Sequence, residues 1–361
     1  MLEARLMLAL TALFFLPGAA LLLLGGAWRR WDGLQGYVLA GGLSIAFYPI
    51  LYYTARFWLP WLTIRGPLLA GLLLLSGGVV IWGGWRYRGE LVRLQGLEWA
   101  AVGVFALTLI SRVWFGLAHP FPAWSDSLHH VMLTELTAQQ GRLPDSLAPY
   151  YPVAFDMYHL GLYALTAAAM QIAQAPAPDA LLWTAQWLNA VCGLGVYLAL
   201  DRYVGRTGAI VGAAVVGLFS VQPALYANWG RFTQLAAQAI LLIGAVAVTE
   251  TVRAWAQADE TRRARWWDAV LAALLSAAVF LLHFRVALFY LPLLALCTGY
   301  LLWRMRDRRR GLLAGLGVVG GLGLLLVLPA FWEAFISFAG KVAAAGDIIT
   351  IEEAAATEEN Y

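Results

Sequence analysis

Apolar runs long enough to cross a bilayer recur along almost the whole chain, and they limit the fold more than any other feature. A helix needs roughly 17 to 25 residues to traverse about 30 Å of hydrocarbon. Runs of that length lie at 6–27, 34–54, 66–83, 97–116, 181–200, 207–227, 232–252 and 311–330. A further run, 268–303, is too long for one helix and is broken by His283-Phe284-Arg285, so it reads as two spans joined by a tight turn. With 61% hydrophobic and 12% charged residues in 361 positions, the chain has more apolar surface than one soluble core could hide. The expectation is an all-α, polytopic integral membrane protein of about ten transmembrane helices, with interfacial helices in a long external loop. The first run has too long an apolar core and no small-x-small site, so it reads as a retained helix and not a cleaved signal.

Arginine sets the orientation, since Lys341 is the only lysine. The connections RYRGELVR (86–93), RYVGR (202–206), RAWAQADETRRAR (253–265) and RMRDRRR (304–310) are rich in it, and the positive-inside rule places them in the cytoplasm. The alternation then works from span to span except between 117–152 and 202–206. Two apolar runs, 153–172 and 181–200, stand there where an odd number is needed. The first carries Asp156, Tyr158 and His159 in its opening turns, and a carboxylate at membrane depth is expensive. We therefore expect 153–172 to lie in or dip into the outer interface. Both termini and all five histidines (His119, His129, His130, His159, His283) then fall on or near the outer side. The expected segments are N-terminal spans at 1–96, a core at 97–252 with its external loop at 117–180, C-terminal spans at 253–330, and an acidic tail at 331–361, read as a solvated or disordered end.

The polar, His-bearing stretch from Trp124 to Tyr163 is where chemistry is expected. Short helices at about 126–140 and 153–172 flank the turn-rich GRLPDSLAPYYP. Asp126, His129 and His130 at i, i+3 and i+4 would share a helix face, and Asp156 and His159 repeat the i, i+3 spacing. A carboxylate with imidazoles can act as general base, or can hold a divalent metal through Asp126 and His130. The competing reading is that Ser125 or Asp126 caps the helix. Cys192 and Cys297 lie far apart in apolar runs and imply neither a disulfide framework nor a structural zinc site. Arg231, within Asn228-Trp229-Gly230-Arg231-Phe232-Thr233-Gln234, and Arg285, beside His283, put fixed cations at the outer surface. There a guanidinium suits bidentate phosphate binding or rests among lipid headgroups.

The order Ser125-Asp126-Ser127-Leu128-His129-His130, then Gly141 to Pro144, then Tyr151-Pro152 to Tyr158-His159, resembles the first external loop of GT-C fold glycosyltransferases. That superfamily includes the oligosaccharyltransferase catalytic subunits and the protein mannosyltransferases. The resemblance covers about 97–252. It implies an essential acidic residue in the loop and a polyprenyl-phosphate-linked sugar as donor. Where oligosaccharyltransferases carry a second acidic motif, this chain has Asn228-Trp229-Gly230-Arg231.

The expected activity is transfer of a sugar from a polyprenyl-phosphate donor to an acceptor on the extracytoplasmic face of a membrane, a bacterial plasma membrane by the Arg-for-Lys usage. Asp126, His129, His130 and His159 would form the catalytic group. Arg231, Arg285 and His283 would hold the donor phosphate, and Tyr151, Asp156, Tyr158 and Asn228 would line the acceptor side. The alternatives are a non-catalytic lipid-phosphate binder, flippase or transporter, or a structural subunit of a membrane complex. Membrane lipids are expected partners and nucleic acid is not, since the formal charge of +3 is spread over connections. No Walker A motif, GxGxxG after a strand, or serine-hydrolase elbow is present.

Overall fold

The computed structural model describes residues 1–88, 94–151, 158–257 and 262–358, with side chains through Ser337 and at 339–340. Its described residues are helical, with no strand. Among the described residues ten helices are long and apolar enough to cross a membrane, as expected of an integral membrane protein. They are α1 (Leu2–Gly25), α2 (Gly33–Trp58), α3 (Gly66–Arg86), α4 (Leu97–Leu117), α7 (Ala177–Tyr203), the run from α8 (Arg206–Ala214) to α9 (Ala224–Asn228), α10 (Phe232–Trp255), α11 (Arg262–Leu282), α12 (Phe284–Arg304) and α13 (Arg309–Glu358). Each matches a run expected from the sequence, and the long run 268–303 is divided at His283 as anticipated.

The helices form an inner and an outer set. α7 and α10 are the most enclosed, with 94% and 83% of their most apolar windows buried, whereas α3 and α13 bury only 11% and 17%. The outer helices expose large apolar side chains such as Leu74, Ile81, Trp114, Phe289 and Leu296. Water would penalise such a surface, while a hydrocarbon solvent would not.

Two further helices occupy the long connection between α4 and α7. α5 (Ser127–Gln140) agrees with expectation. α6 (Gly161–Ala173) is enclosed by protein: its residues from Gly161 to Ala169 are all buried, packed among α1, α2, α5 and α7. Thirteen residues rise about 20 Å, too little to cross, so the exclusion of this run from the crossing set agrees with its length. It is buried because it is apolar on every side and because Gly161 lets its first turn press on α11. A Cβ there would stand 2.6 Å from the Leu281 carbonyl oxygen. The opening turns expected at 153–157, including Asp156, lie outside the described residues.

Toward the acidic tail, the backbone of α13 continues as helix through 331–358. Its segment from Ala330 to Phe335 packs over a cavity described below.

The arginine-bearing connections gather at one end of the bundle, where they bond to one another. Arg30 pairs with Asp268 at 2.7 Å, Arg202 with Glu250 at 2.5 Å, and Arg206 with Glu98 at 3.6 Å. Arg308 donates to the Ala256 carbonyl. The opposite end carries α5, the start of α6, and the junctions α9–α10 and α11–α12.

Candidate functional site

At that opposite end, α5 buries a stripe of Ser127, His130, Leu133, Thr134 and Thr137 against α6. Thr134 and Thr166 hydroxyls meet across the contact at 2.8 Å. The stripe turns His130 inward, 5% exposed, and leaves His129 in solvent. The three residues Asp126, His129 and His130 therefore do not share one working face.

His130 is held at both ring nitrogens. A carbonyl can only accept, so Nε2 donates to the Gly230 oxygen at 2.9 Å, and Nδ1 of the neutral ring accepts from the Tyr163 hydroxyl at 2.7 Å. The Tyr163 and Tyr158 hydroxyls lie 3.2 Å apart and extend the chain outward. Burial pushes the His130 imidazole down to about 4, which keeps it neutral. With both nitrogens engaged, it offers no free lone pair for the Asp126–His130 metal site. Among the described residues, no group of three or more His, Cys, Asp or Glu side chains is placed to hold a metal ion.

Asp126 makes no side-chain capping bond although it stands at the N-cap of α5. Its carboxylate faces the Arg231 guanidinium at 3.6 Å, with both side chains about half exposed. Gly230 makes this approach possible. Its φ of 62° is a left-handed conformation that favours glycine, and a Cβ there would meet Trp124 and Asp126 at 3.2 and 3.4 Å. Arg231 also lies over the Trp229 ring, 5.0 Å from its centroid.

The His159 and His283 rings pack together, with centroids 4.1 Å apart and planes tilted by 42°. His159 Nε2 is hydrogen-bonded to the Thr233 hydroxyl at 3.0 Å, while Nδ1 of each ring is buried without a partner in the described structure. Burial lowers His159 well below the ordinary imidazole range, with His283 adding to it. Burial and then Arg285 take His283 down to about 4. Arg285 lies over the Phe284 ring and forms no ion pair among the described residues.

These contacts join Asp126, Arg231, His130, Tyr158, His159, His283 and Arg285 into one continuous group. Arg231 acts electrostatically on both His130 and His283. Tyr151 and Asn228 are exposed and no described side-chain contact ties them to the group; His119 bonds locally to the Phe115 carbonyl. Beside the group, a cavity of about 210 Å³ is walled by Tyr158, His159, Phe280, Phe284, Phe331 and Phe335, with Arg56 and Glu333 as its charged lining.

Sequence reading missed Tyr163, Thr233, Arg56 and Glu333. Arg56 is 11% exposed and binds Glu333 at 2.6 Å, Asp145 at 3.0 Å and the Pro144 carbonyl at 3.0 Å. It carries the signal that singled out Arg231 and Arg285, an arginine at the end of a span opposite the arginine-rich connections. Comparison with protein families, with characterised proteins and with solved structures finds no match to this chain.

Proposed function

We propose that the chain is a membrane glycosyltransferase that moves a sugar from a polyprenyl-phosphate donor to an acceptor hydroxyl at the extracytoplasmic face. The observation that carries this reading is the placement of a half-exposed carboxylate, Asp126, against Arg231, with Arg285 nearby and an apolar cavity alongside. Arg231 is the N-cap of α10, and Arg285 is the second residue of α12. Each guanidinium thus adds to the positive end of a helix, an arrangement suited to an anion. The half-exposed Asp126–Arg231 contact leaves both groups within reach of a ligand. By the positive-inside rule this end faces away from the cytoplasm.

In the transfer, the acceptor oxygen bonds to the sugar C1 as its proton passes to the Asp126 carboxylate. The bond from C1 to the phosphate oxygen breaks, and its electron pair leaves with polyprenyl phosphate. Arg231 and Arg285 meet the charge that grows on that phosphate. His130, bonded at both nitrogens, positions Gly230 and the Asp126–Arg231 pair and does not carry the proton. His159 presents a neutral, weakly basic ring to the cavity, and His283 backs it.

The test uses purified protein in nanodiscs with polyprenyl-phosphate-linked sugars, reading release of polyprenyl phosphate. The expected result is turnover by the wild type and a loss of roughly 10²-fold or more in Asp126→Asn with donor binding retained. Arg231→Ala and Arg285→Ala should each weaken donor binding by about 1.5 to 3 kcal/mol. Full activity in Asp126→Asn removes that residue from the mechanism. Binding of the lipid phosphate without any transfer by the wild type would favour a binder, flippase or transporter.

A further inference from the structure

Arg112 lies within the apolar run of α4, five residues before its end at Leu117, or about 7.5 Å of helix rise. A guanidinium at such a depth is costly and calls for a counter-charge. Among the described residues no carboxylate forms an ion pair with it, and the titratable group that acts on it is the buried Cys192 thiol.

An arginine this close to a bilayer surface ordinarily stretches its head toward water. Arg112 is instead pinned sideways. Its Nε donates to Asn189 Oδ1 at 3.0 Å, and its Nη2 donates to the Gly217 carbonyl at 2.7 Å. Asn189 is 1% exposed, and its own Nδ2 donates to the Pro223 carbonyl at 3.4 Å, which settles which end of the amide faces Arg112. Gly217 lies in the π turn Val215–Phe219 that closes α8, where the last carbonyls of a helix lack a backbone donor.

Two of the five guanidinium N–H groups are thereby used, and three remain, two on Nη1 and one on Nη2. Nη1 has no hydrogen-bond partner among the described residues, and Arg112 keeps part of its surface exposed. The neighbouring π turn exposes Val215 and Phe219 on that surface. An end-on guanidinium fork matches two oxygens of a phosphate.

We infer that Arg112 is the anion-binding residue of a lateral lipid site between α4 and α8, taking the phosphate of a membrane lipid that approaches through the bilayer. The pinned side chain cannot rise to the interface, so the anion comes down to it. The lipid phosphate supplies the counter-charge that the protein lacks there. This site needs no assumption about sugar transfer and uses none of the residues assigned to it.

The experiment measures phenylglyoxal modification of Arg112 in the wild-type protein in nanodiscs, read on the peptide by mass spectrometry. Replacing phosphatidylcholine with phosphatidylglycerol should slow modification about tenfold, the scale of one charge-assisted bond. Polyprenyl phosphate at a few mole per cent is the second arm and soluble inorganic phosphate the third. Protection by phosphatidylglycerol identifies a bulk glycerophospholipid, and protection by polyprenyl phosphate alone identifies the isoprenoid carrier; either supports the site. Equal rates in every lipid, or protection by inorganic phosphate alone, overturn it. Asn189→Leu keeps the charge but frees the side chain, and should reduce the protection to less than about threefold. Full protection in that variant would show a mobile, headgroup-seeking arginine and would also overturn the pinned site.

Discussion

The two ends of the bundle handle polar groups beside hydrocarbon in opposite ways. At the arginine end, each buried carboxylate among the described residues has an arginine: Asp268 with Arg30, Glu250 with Arg202 and Arg253, and Glu98 and Asp201 with Arg206. Gln35 and the Leu34 amide complete the set by donating to Asp201 and Glu98. At the other end, polar groups are buried as neutral imidazoles, and Asp126, Arg231 and Arg285 are left accessible. Charges already paired fasten helices to one another, and a ligand has little to gain from them. Unsaturated groups around a cavity retain capacity to bind, which is why the functional reading belongs to the histidine end.

The comparison fails outright if the two ends do not lie on opposite sides of a membrane. In a background lacking Cys192 and Cys297, single cysteines at Leu147 and Gln174 should react with an impermeant maleimide from one side. A cysteine at Arg308 should react only from the other, so the effect is all or none. Labelling of Leu147 and Gln174 from different sides would mean that the chain between them crosses, and the topology would be wrong.

Removing a carboxylate should then cost very different amounts at the two ends. Glu250→Ala strands two arginines, with Glu250 only 8% exposed. We expect a loss of about 3 to 5 kcal/mol, the scale of breaking a buried pair from one side. Asp126→Asn, in a pair exposed by about half on both partners, should cost under about 1 kcal/mol while impairing transfer. Denaturant unfolding in detergent reads both. Equal costs would mean that Asp126 is as structural as Glu250, and the distinction between the ends would collapse.

Acid should act through the histidine end. His130 and His283 are each lowered to about 4 in the folded protein, below the ordinary value near 6.5. As pH falls from about 6.5 toward 4, the unfolded chain takes up protons that the folded one refuses. Stability therefore falls through that window, by up to about 1.4 kcal/mol per pH unit for each histidine. Above about 6.5 these groups contribute no slope. The thermal midpoint should drop from pH 7 to pH 5 in the wild type and drop less in His283→Asn. An identical drop in that variant would assign the acid sensitivity to other groups.

What could be read in advance divides along the same line. The ten helices were legible because crossing hydrocarbon demands a run length, and a run length is a local property of the chain. The count of arginine-rich connections set the Gly161–Ala173 region apart from the crossing runs, and the length of its helix agrees with that. The facing of side chains was not. His130 is turned inward by Tyr163 and Gly230, 33 and 100 residues away, and His129 is turned outward by the same packing. Arg56 meets Glu333 across 277 residues, and helix spacing holds no trace of such a partner. The acidic composition of the tail suggested a free end, yet its first turns carry Phe331 and Phe335, which pack together and wall the cavity.

The smallest effect concerns that wall. Arg56 joins the end of α2 to the loop at Pro144 and Asp145 and to Glu333 of α13. Asp145 is 74% exposed and Glu333 is 47% exposed, so solvent screens both ion pairs. Arg56→Ala should therefore lower global stability by only about 1 kcal/mol. Its consequence should be local, because few other polar ties hold Ala330 to Phe335 over the cavity. Hydrogen exchange of the 330–337 peptide should quicken in Arg56→Ala, while peptides of α7 and α10 exchange as before. Unchanged exchange at 330–337 would show that the Phe280–Phe331 contact, with centroids 6.2 Å apart, is enough to keep the wall in place. The arginine would then serve the cavity through its charge and not as a fastener.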